Sequence, residues 1–344
     1  MSGKPVVLLA MPADNGIHSV IADALVHHGF NAVDIAQNPK TFRYPGLAAR
    51  ASVKFRQLVL RDKEAKKKLE ASLYEAEMLE KLRRAGGADY ALFIRGDIYP
   101  AGFLKKIRSQ VRGLMVNYQW DGMNRFPAIW PCLTAFDRNY IFDPYDLNQA
   151  GHRFYPACNF YFDHLPCLSE TPNDFYFVGG HVPERASLVA AFAQHARQAG
   201  WRLDFHIAWY PKDFHRARTV YPCDNINLMR DSWDFQTNLA HTMQAKVLVD
   251  FRNPVHNGLS FRAFEALGYG KKLITTNPNI RHYDFYHPDN ILIWDGKTFD
   301  GMARFLERPY REPDPEIKRK YGFGNWIRYI LNIRPHQKIT LPQA

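Results

Sequence analysis

The chain has 344 residues, 46% of them hydrophobic and 14% aromatic, with a formal net charge of +11. That length and apolar content exceed one average domain and predict two, each with its own core. No window approaches the about 20 consecutive apolar residues of a membrane span. The four cysteines, Cys132, Cys158, Cys167 and Cys223, have neither zinc-site spacing nor disulfide density, so they are expected to be reduced and structural.

In chain order, Val6 to Ala10 reads as a buried strand. The run Val6 to Met11 lacks the charged start and cleavage site of a secretory signal, which leads to the expectation of a cytoplasmic protein. A polar turn (Ala13 to Gly16), an apolar-periodic helix (His18 to His28) and a short strand (Asn31 to Ile35) follow, the opening of a parallel α/β domain. Residues 48–85 favour one or two helices, basic at Lys66-Lys67-Lys68 and Lys81 to Arg84, with acids spaced for i,i+4 pairs. The same stretch offers a basic face for an anionic lipid surface or acceptor. Strands Tyr90 to Ile94 and Gly113 to Tyr118 each end in a polar tail, Arg95-Gly96-Asp97 and Gln119-Trp120-Asp121-Gly122. Ligands of parallel sheets bind beyond the carboxyl ends of strands, so both tails point toward a site.

Pro144, Pro156, Pro166 and Pro172 punctuate a stretch of weak periodicity and mark a domain boundary. The alternation then restarts: strand Phe175 to Val178, turn Gly179-Gly180, helix Glu184 to Ala199, strand Leu203 to Trp209, and further strands and helices to Trp294. This predicts an α/β protein of two Rossmann-like, doubly wound domains facing a central cleft. The N-terminal domain spans residues 1–165 and the C-terminal one 170–315. A final helix and tail, residues 316–344, pack an apolar face back across the domains.

The most informative segment runs from Val249 to Asn277: strand, polar loop, helix beginning near Ser260, glycine-bounded stop, strand. Free backbone donors at a helix start stabilise phosphate, and Gly258 admits close approach of a ligand. Ser260 is placed either to cap that helix or to donate to phosphate. Glu265 lies one turn beyond, where a carboxylate accepts hydrogen bonds from ribose hydroxyls; the plainer alternative is an ion pair with Arg262 at spacing three.

Asn257-Gly258-Leu259-Ser260, then Phe264 to Gly270, then Leu273 to Asn277 resemble the C-terminal donor-binding motif of GT-B glycosyltransferases, nearest to the spore-maturation-protein-like and capsule or lipopolysaccharide branch. The likeness covers roughly residues 225–330, and the first glutamate of the family's paired-glutamate pattern is replaced near His256 to Gly258. The turn from Val178 to Arg185 resembles the diphosphate loop of the same domain. The resemblance implies that Gly179, Gly180, Arg185, Arg252, Asn257, Gly258, Leu259, Ser260, Arg262 and Glu265 hold a nucleotide-sugar donor. It also implies transfer of the sugar to a glycan or lipid-linked acceptor in bacterial surface polysaccharide synthesis.

A departing diphosphate needs its charge neutralised. No Asp-x-Asp triplet occurs in the chain, so Arg185, Arg252, Arg262 and the helix start are expected to substitute for a metal, with no cofactor. The acceptor's base is expected on the N-terminal domain, where Asp14, His18, Asp97 and Asp121 follow strand ends; Asn15-Gly16 with His18 resembles the glycine loop and nearby base of some GT-B enzymes.

Two other readings compete. A nucleotide-sugar epimerase uses the same architecture without an acceptor. A non-catalytic nucleic-acid binder would account for the charge, but the chain lacks RNP aromatics, zinc-finger spacings and a long single-sign tail, so nucleic acid is not the expected partner. The charge instead suits an anionic donor and peripheral contact with an anionic membrane.

Overall fold

The computed structural model describes residues 3–36, 43–62, 65–149, 151–166 and 171–343; Cys167 and the side chains of Asp14, Lys67 and Lys68 lie outside the described residues. The N-terminal half folds as β1 (Val6–Ala10), α1 (Ile17–His27), β2 (Asn31–Asp34), α2 (Leu47–Leu58), α3 (Ala65–Arg84), β3 (Tyr90–Ile94), α4 (Ala101–Arg108), β4 (Met115–Gln119), β5 (Arg138–Ile141) and β6 (Phe154–Pro156). Its sheet is parallel throughout, in the order β2-β1-β3-β4-β5-β6. The run Val7 to Ala10 is fully buried, as a strand covered on both faces must be. Within the weakly periodic stretch that the prolines punctuate, β6 pairs with β5 and completes the first sheet before the second begins at Asn173. As a three-residue edge strand ending in Pro156, β6 carries little periodic signal.

The second half gives β7 (Asn173–Gly180), α5 (Pro183–Gln198), β8 (Leu203–Ala208), α6 (Ala217–Val220), β9 (Ile226–Met229), α7 (Phe235–Gln244), β10 (Ala245–Asp250), α8 (Phe261–Gly268), β11 (Lys272–Thr275) and β12 (Ile291–Ile293). The second sheet, also parallel, runs β12-β11-β10-β7-β8-β9. The chain ends with α9 (Met302–Glu307), α10 (Pro315–Lys320) and α11 (Phe323–Ile330). The architecture is therefore α/β, with two Rossmann-like domains.

The expected C-terminal helical segment is present and is divided at Gly322 into α10 and α11. There the Tyr161 carbonyl accepts from the Phe323 amide at 2.9 Å and the Tyr161 amide donates to the Tyr321 carbonyl at 3.2 Å. A side chain at position 322 would meet Asp163 at 2.7 Å. Backbone pairing with the interdomain segment thus replaces helical hydrogen bonds at that turn. Beyond the break, α11 crosses to the N-terminal domain: the Trp326 indole donates to the Cys158 carbonyl at 2.8 Å and the Tyr329 hydroxyl to that of Pro156 at 2.9 Å. Trp326 also packs edge-on to Tyr118 of β4, so one apolar core runs from β1 and β4 into α8 and α11 and joins the halves.

The basic stretch forms two helices. In α3, Lys81 pairs with Glu77, and Arg83 and Arg84 share Glu80, a solvated face neutralised at spacings three and four. Lys106 of α4 reaches Glu75, tying α3 to the domain. Among the described residues no helix is long and apolar enough to cross a membrane.

Candidate functional site

A cavity of about 420 Å³ lies between the domains, at the carboxyl ends of β4, β7 and β8. The N-terminal domain contributes Asn15, Trp120, Asp121 and Phe142; the C-terminal domain contributes Gly179, Gly180, Tyr210, Trp233, His256, Ser260, Arg262 and Glu265 among others. This is where open parallel sheets bind ligands, because the strand ends and helix starts converge there.

The β7 turn brings two guanidinium groups together. Arg185, near the start of α5, donates to the Gly180 carbonyl at 2.7 Å and to the Phe251 carbonyl at 3.3 Å. A Cβ on Gly179 would sit 2.7 Å from its Nη2, so only glycine lets the arginine fold under the turn. Burial, with Arg262 adding repulsion, lowers the Arg185 pKa to about 10. Arg262 of α8 donates to the Val178 carbonyl and lies 3.7 Å from Asp250. Both guanidiniums approach the Phe177 ring, at 5.3 and 4.7 Å. Asp250 faces this pair, and it also accepts from Ser260 Oγ and Thr275 Oγ1. Arg262 lines the cavity, whereas Arg185 lies under the β7 turn outside its lining; Asp250 is the carboxylate beside Arg262, and an anionic ligand in the cavity would meet the Arg262 guanidinium.

Ser260 sits at the N-cap of α8 but makes no capping bond, since its hydroxyl is committed to Asp250. The first amides of α8 are left to other acceptors. One turn on, Glu265 is only 2% exposed. Its Oε1 has no partner, and burial raises its pKa to about 7, against a weaker opposing pull from Arg262. A cavity-lining carboxyl with an unmet acceptor is a position for a hydroxyl-bearing ligand. The surface ion pair weighed for Glu265 does not form, because Arg262 turns toward Val178 and Asp250.

Four predicted donor residues occupy a seam between the domains rather than the cavity wall. Arg252 donates to the Asn257 side chain at 2.9 Å, and the Asn257 amide donates across the cleft to Asp143 at 2.8 Å. Gly258 lies against Phe142, where a Cβ would come within 2.3 Å of the ring. The Leu259 side chain is in the core, and its carbonyl accepts from Asn159 at 3.0 Å.

The proposed bases separate. Asp121 lines the cavity and accepts from Arg125 at 2.8 Å. His18 is turned away: its Nδ1 lies 2.6 Å from Asp34, while the neighbouring Asn15, in a left-handed conformation, enters the cavity wall and accepts from Ser232 across the cleft. Asp97 lies outside the cavity in a nearly buried, doubly bonded pair with Arg95, which also covers Phe126 at 3.2 Å. Removing one partner of a buried pair strands the other charge, so Asp97→Asn should lower the unfolding free energy by about 3 kcal/mol in a urea titration. Nucleotide affinity should stay unchanged; a catalytic Asp97 would instead show normal stability and lost turnover.

His256 had no assigned role in the sequence and yet lines the cavity. Burial depresses its pKa, outweighing the nearby Asp121, Asp143 and Asp250 carboxylates, and its Nδ1 has no partner. It is therefore neutral at pH 7 and able to accept a proton. Its only sequence signal was its place after a strand end. Trp233 was missed as well. Asp204 bonds His206 and His241, each at 2.6 Å, and the two imidazoles lie 4.0 and 4.3 Å from the Trp233 ring, fixing it in the cavity wall. Burial raises the Asp204 pKa, but the two histidine hydrogen bonds outweigh it and hold the carboxyl below its usual range. These three residues place ligand-type atoms within 4.8 Å of one another. Contacts of 2.6 Å are hydrogen bonds, whereas ligands arranged around one ion at about 2 Å stand about 3 Å or more apart.

No protein-family model and no curated protein matches the chain. The fold has counterparts among solved structures. A Listeria monocytogenes protein proposed to be a UDP-N-acetylglucosamine 2-epimerase superposes with a TM-score of 0.54 at 10% identity, over 99% of this chain and all of its own. The UDP-N-acetylglucosamine 2-epimerase of Neisseria meningitidis, bound to its nucleotide sugar, gives 0.50 at 8% identity over 95% and 98%. A lipopolysaccharide outer core galactosyltransferase gives 0.43 at 15% identity over 91% of both chains. The two-domain α/β fold is thus shared with the two epimerases, each of which superposes over at least 95% of this chain.

Proposed function

We propose that the cleft binds a nucleotide sugar and that the protein transfers the sugar to a glycan or lipid-linked acceptor. The observation that carries this reading is the Arg262 guanidinium in the cavity wall in the first turn of α8, backed by Arg185 of α5 under the β7 turn and followed one turn on by the unsatisfied Glu265. A diphosphate at Arg262 would place its ribose hydroxyls at the carboxyl, and the protein cations would take up the negative charge that develops on the departing diphosphate. Asp121 and His256 face the cavity from opposite domains as proton acceptors for an attacking hydroxyl. No metal or cofactor is required by this scheme, and surface polysaccharide assembly at the cytoplasmic face is the setting that fits it.

The test is a thermal-shift series with nucleosides, nucleoside monophosphates and nucleoside diphosphates in the presence of chelator. The unfolding midpoint should rise most with one diphosphate, following mass action. Equal shifts with the nucleoside and its diphosphate would remove the arginine corner from the mechanism.

Epimerisation is the second reading, favoured by the full-length superposition on the Listeria monocytogenes protein and by two titratable groups facing one cavity. Incubation with the nucleotide sugar alone separates the two, since an epimerase turns over without an acceptor.

A further inference from the structure

Helix α2 exposes the face that other helices of the protein bury. Leu47, Ala51, Phe55 and Leu58 follow the i, i+4, i+8, i+11 spacing of a single helical stripe. All four face solvent, Leu47 at 85% and Leu58 at 78% exposure. The buried residue of the helix is Val53, on the opposite side. Just past the helix end, Val59 and Leu60 are exposed as well. Five of the large apolar side chains that face water are thus gathered in fourteen consecutive residues, a concentration that marks an interaction surface.

The charge beside the stripe is of one sign. Arg50 and Lys54 flank it, and no acidic residue occurs between Leu47 and Arg61. Arg56, on the far side, is neutralised by Asp62 at 2.7 Å, whereas Arg50 and Lys54 have no ion pair among the described residues. A second copy of the chain fits this surface poorly: two-fold pairing would set Arg50 and Lys54 near their own counterparts in a chain of net charge +11.

We propose that α2 is an interfacial helix that docks on an anionic lipid bilayer, with Leu47, Phe55 and Leu58 among the acyl chains and Arg50 and Lys54 at the lipid phosphates. This goes beyond the reading of the cleft and stands independently of it, because none of these residues lines the cavity.

The experiment is cosedimentation of the full chain with vesicles of phosphatidylcholine alone and of phosphatidylcholine mixed with phosphatidylglycerol. The wild type should pellet with the mixed vesicles. The double variant Phe55→Ser/Leu58→Ser should partition at least about tenfold less at any salt. Arg50→Gln and Lys54→Gln should each weaken binding about fivefold at low salt and have little effect at high salt. Circular dichroism and nucleotide affinity should match the wild type in every variant, which separates lost docking from misfolding and from failure of the cleft assignment. A wild type that stays in the supernatant with both vesicles, or variants that bind as it does, would overturn the proposal. So would a dimer in analytical ultracentrifugation that Phe55→Ser dissolves, which would assign the stripe to a second copy.

Discussion

Replacing Glu265 with glutamine should weaken nucleoside diphosphate binding at least tenfold and also raise the stability of the unliganded protein at pH 8. The two effects share one cause. In the free protein the carboxyl is buried with an unmet oxygen, and its pKa rises from 4.5 to about 7. A group whose pKa is higher folded than unfolded contributes full stability below its unfolded value and loses that contribution as pH climbs through the folded one. For Glu265 the loss runs from about pH 4.5 to about pH 7, and at about 1.4 kcal/mol per pH unit it amounts to roughly 3 kcal/mol. Glutamine cannot ionise and escapes that loss, so its unfolding midpoint should exceed that of the wild type at pH 8 and approach it at pH 5. Bound ribose hydroxyls would hydrogen-bond the ionised carboxylate and pull its pKa down, so wild-type binding near pH 7 should release a proton. Calorimetry in buffers of different ionisation enthalpy reads that release, which should vanish in Glu265→Gln. Unchanged affinity together with unchanged proton release would remove Glu265 from the site.

Arg262→Ala should lower nucleoside diphosphate affinity roughly a hundredfold, about 2.7 kcal/mol, the scale of hydrogen bonds to a charged group. Affinity for the uncharged nucleoside should stay the same, because the loss belongs to the phosphates. Salt dependence of diphosphate binding should flatten, since one cation has left the corner. Lysine should rescue poorly: the planar fork of Arg262 spans the Val178 carbonyl and Asp250 together, which a single ammonium cannot do. Arg185 is the less clean position for this test, because its guanidinium is a structural donor to Gly180 and Phe251. Equal losses for nucleoside and diphosphate in Arg262→Ala would mean that the pocket had collapsed and that the arginine is structural.

Much of the fold was legible because apolar runs such as Val6 to Ala10 and Lys246 to Phe251 alternate with amphipathic segments, and buried parallel strands need that composition. The strand, loop and helix around Ser260 were read close to their observed bounds, since a glycine-bounded helix of eight residues has strong local signals at both ends. Asp97 and Asp121 show where such reading stops. Both follow strand ends on polar tails, and only the path of Arg95 decides that Asp97 closes an ion pair outside the cleft. His256 shows the converse: a short loop carries it, and nothing local says that Asp143 and Phe142 of the other domain dock against that loop.

By itself the sequence determined two doubly wound domains, the helix that begins at Ser260, and a surplus of basic side chains available for an anion. Those properties follow from local periodicity, capping chemistry and charge, which act over a few residues. The tertiary structure alone decided that Glu265 is buried, that Arg262 lies beside Asp250 with Arg185 folded under the β7 turn, that His18 faces Asp34, and that α2 keeps its apolar stripe in water. Burial and pairing depend on which distant segments pack together, and desolvation and Coulomb energy are set by those neighbours rather than by residue type.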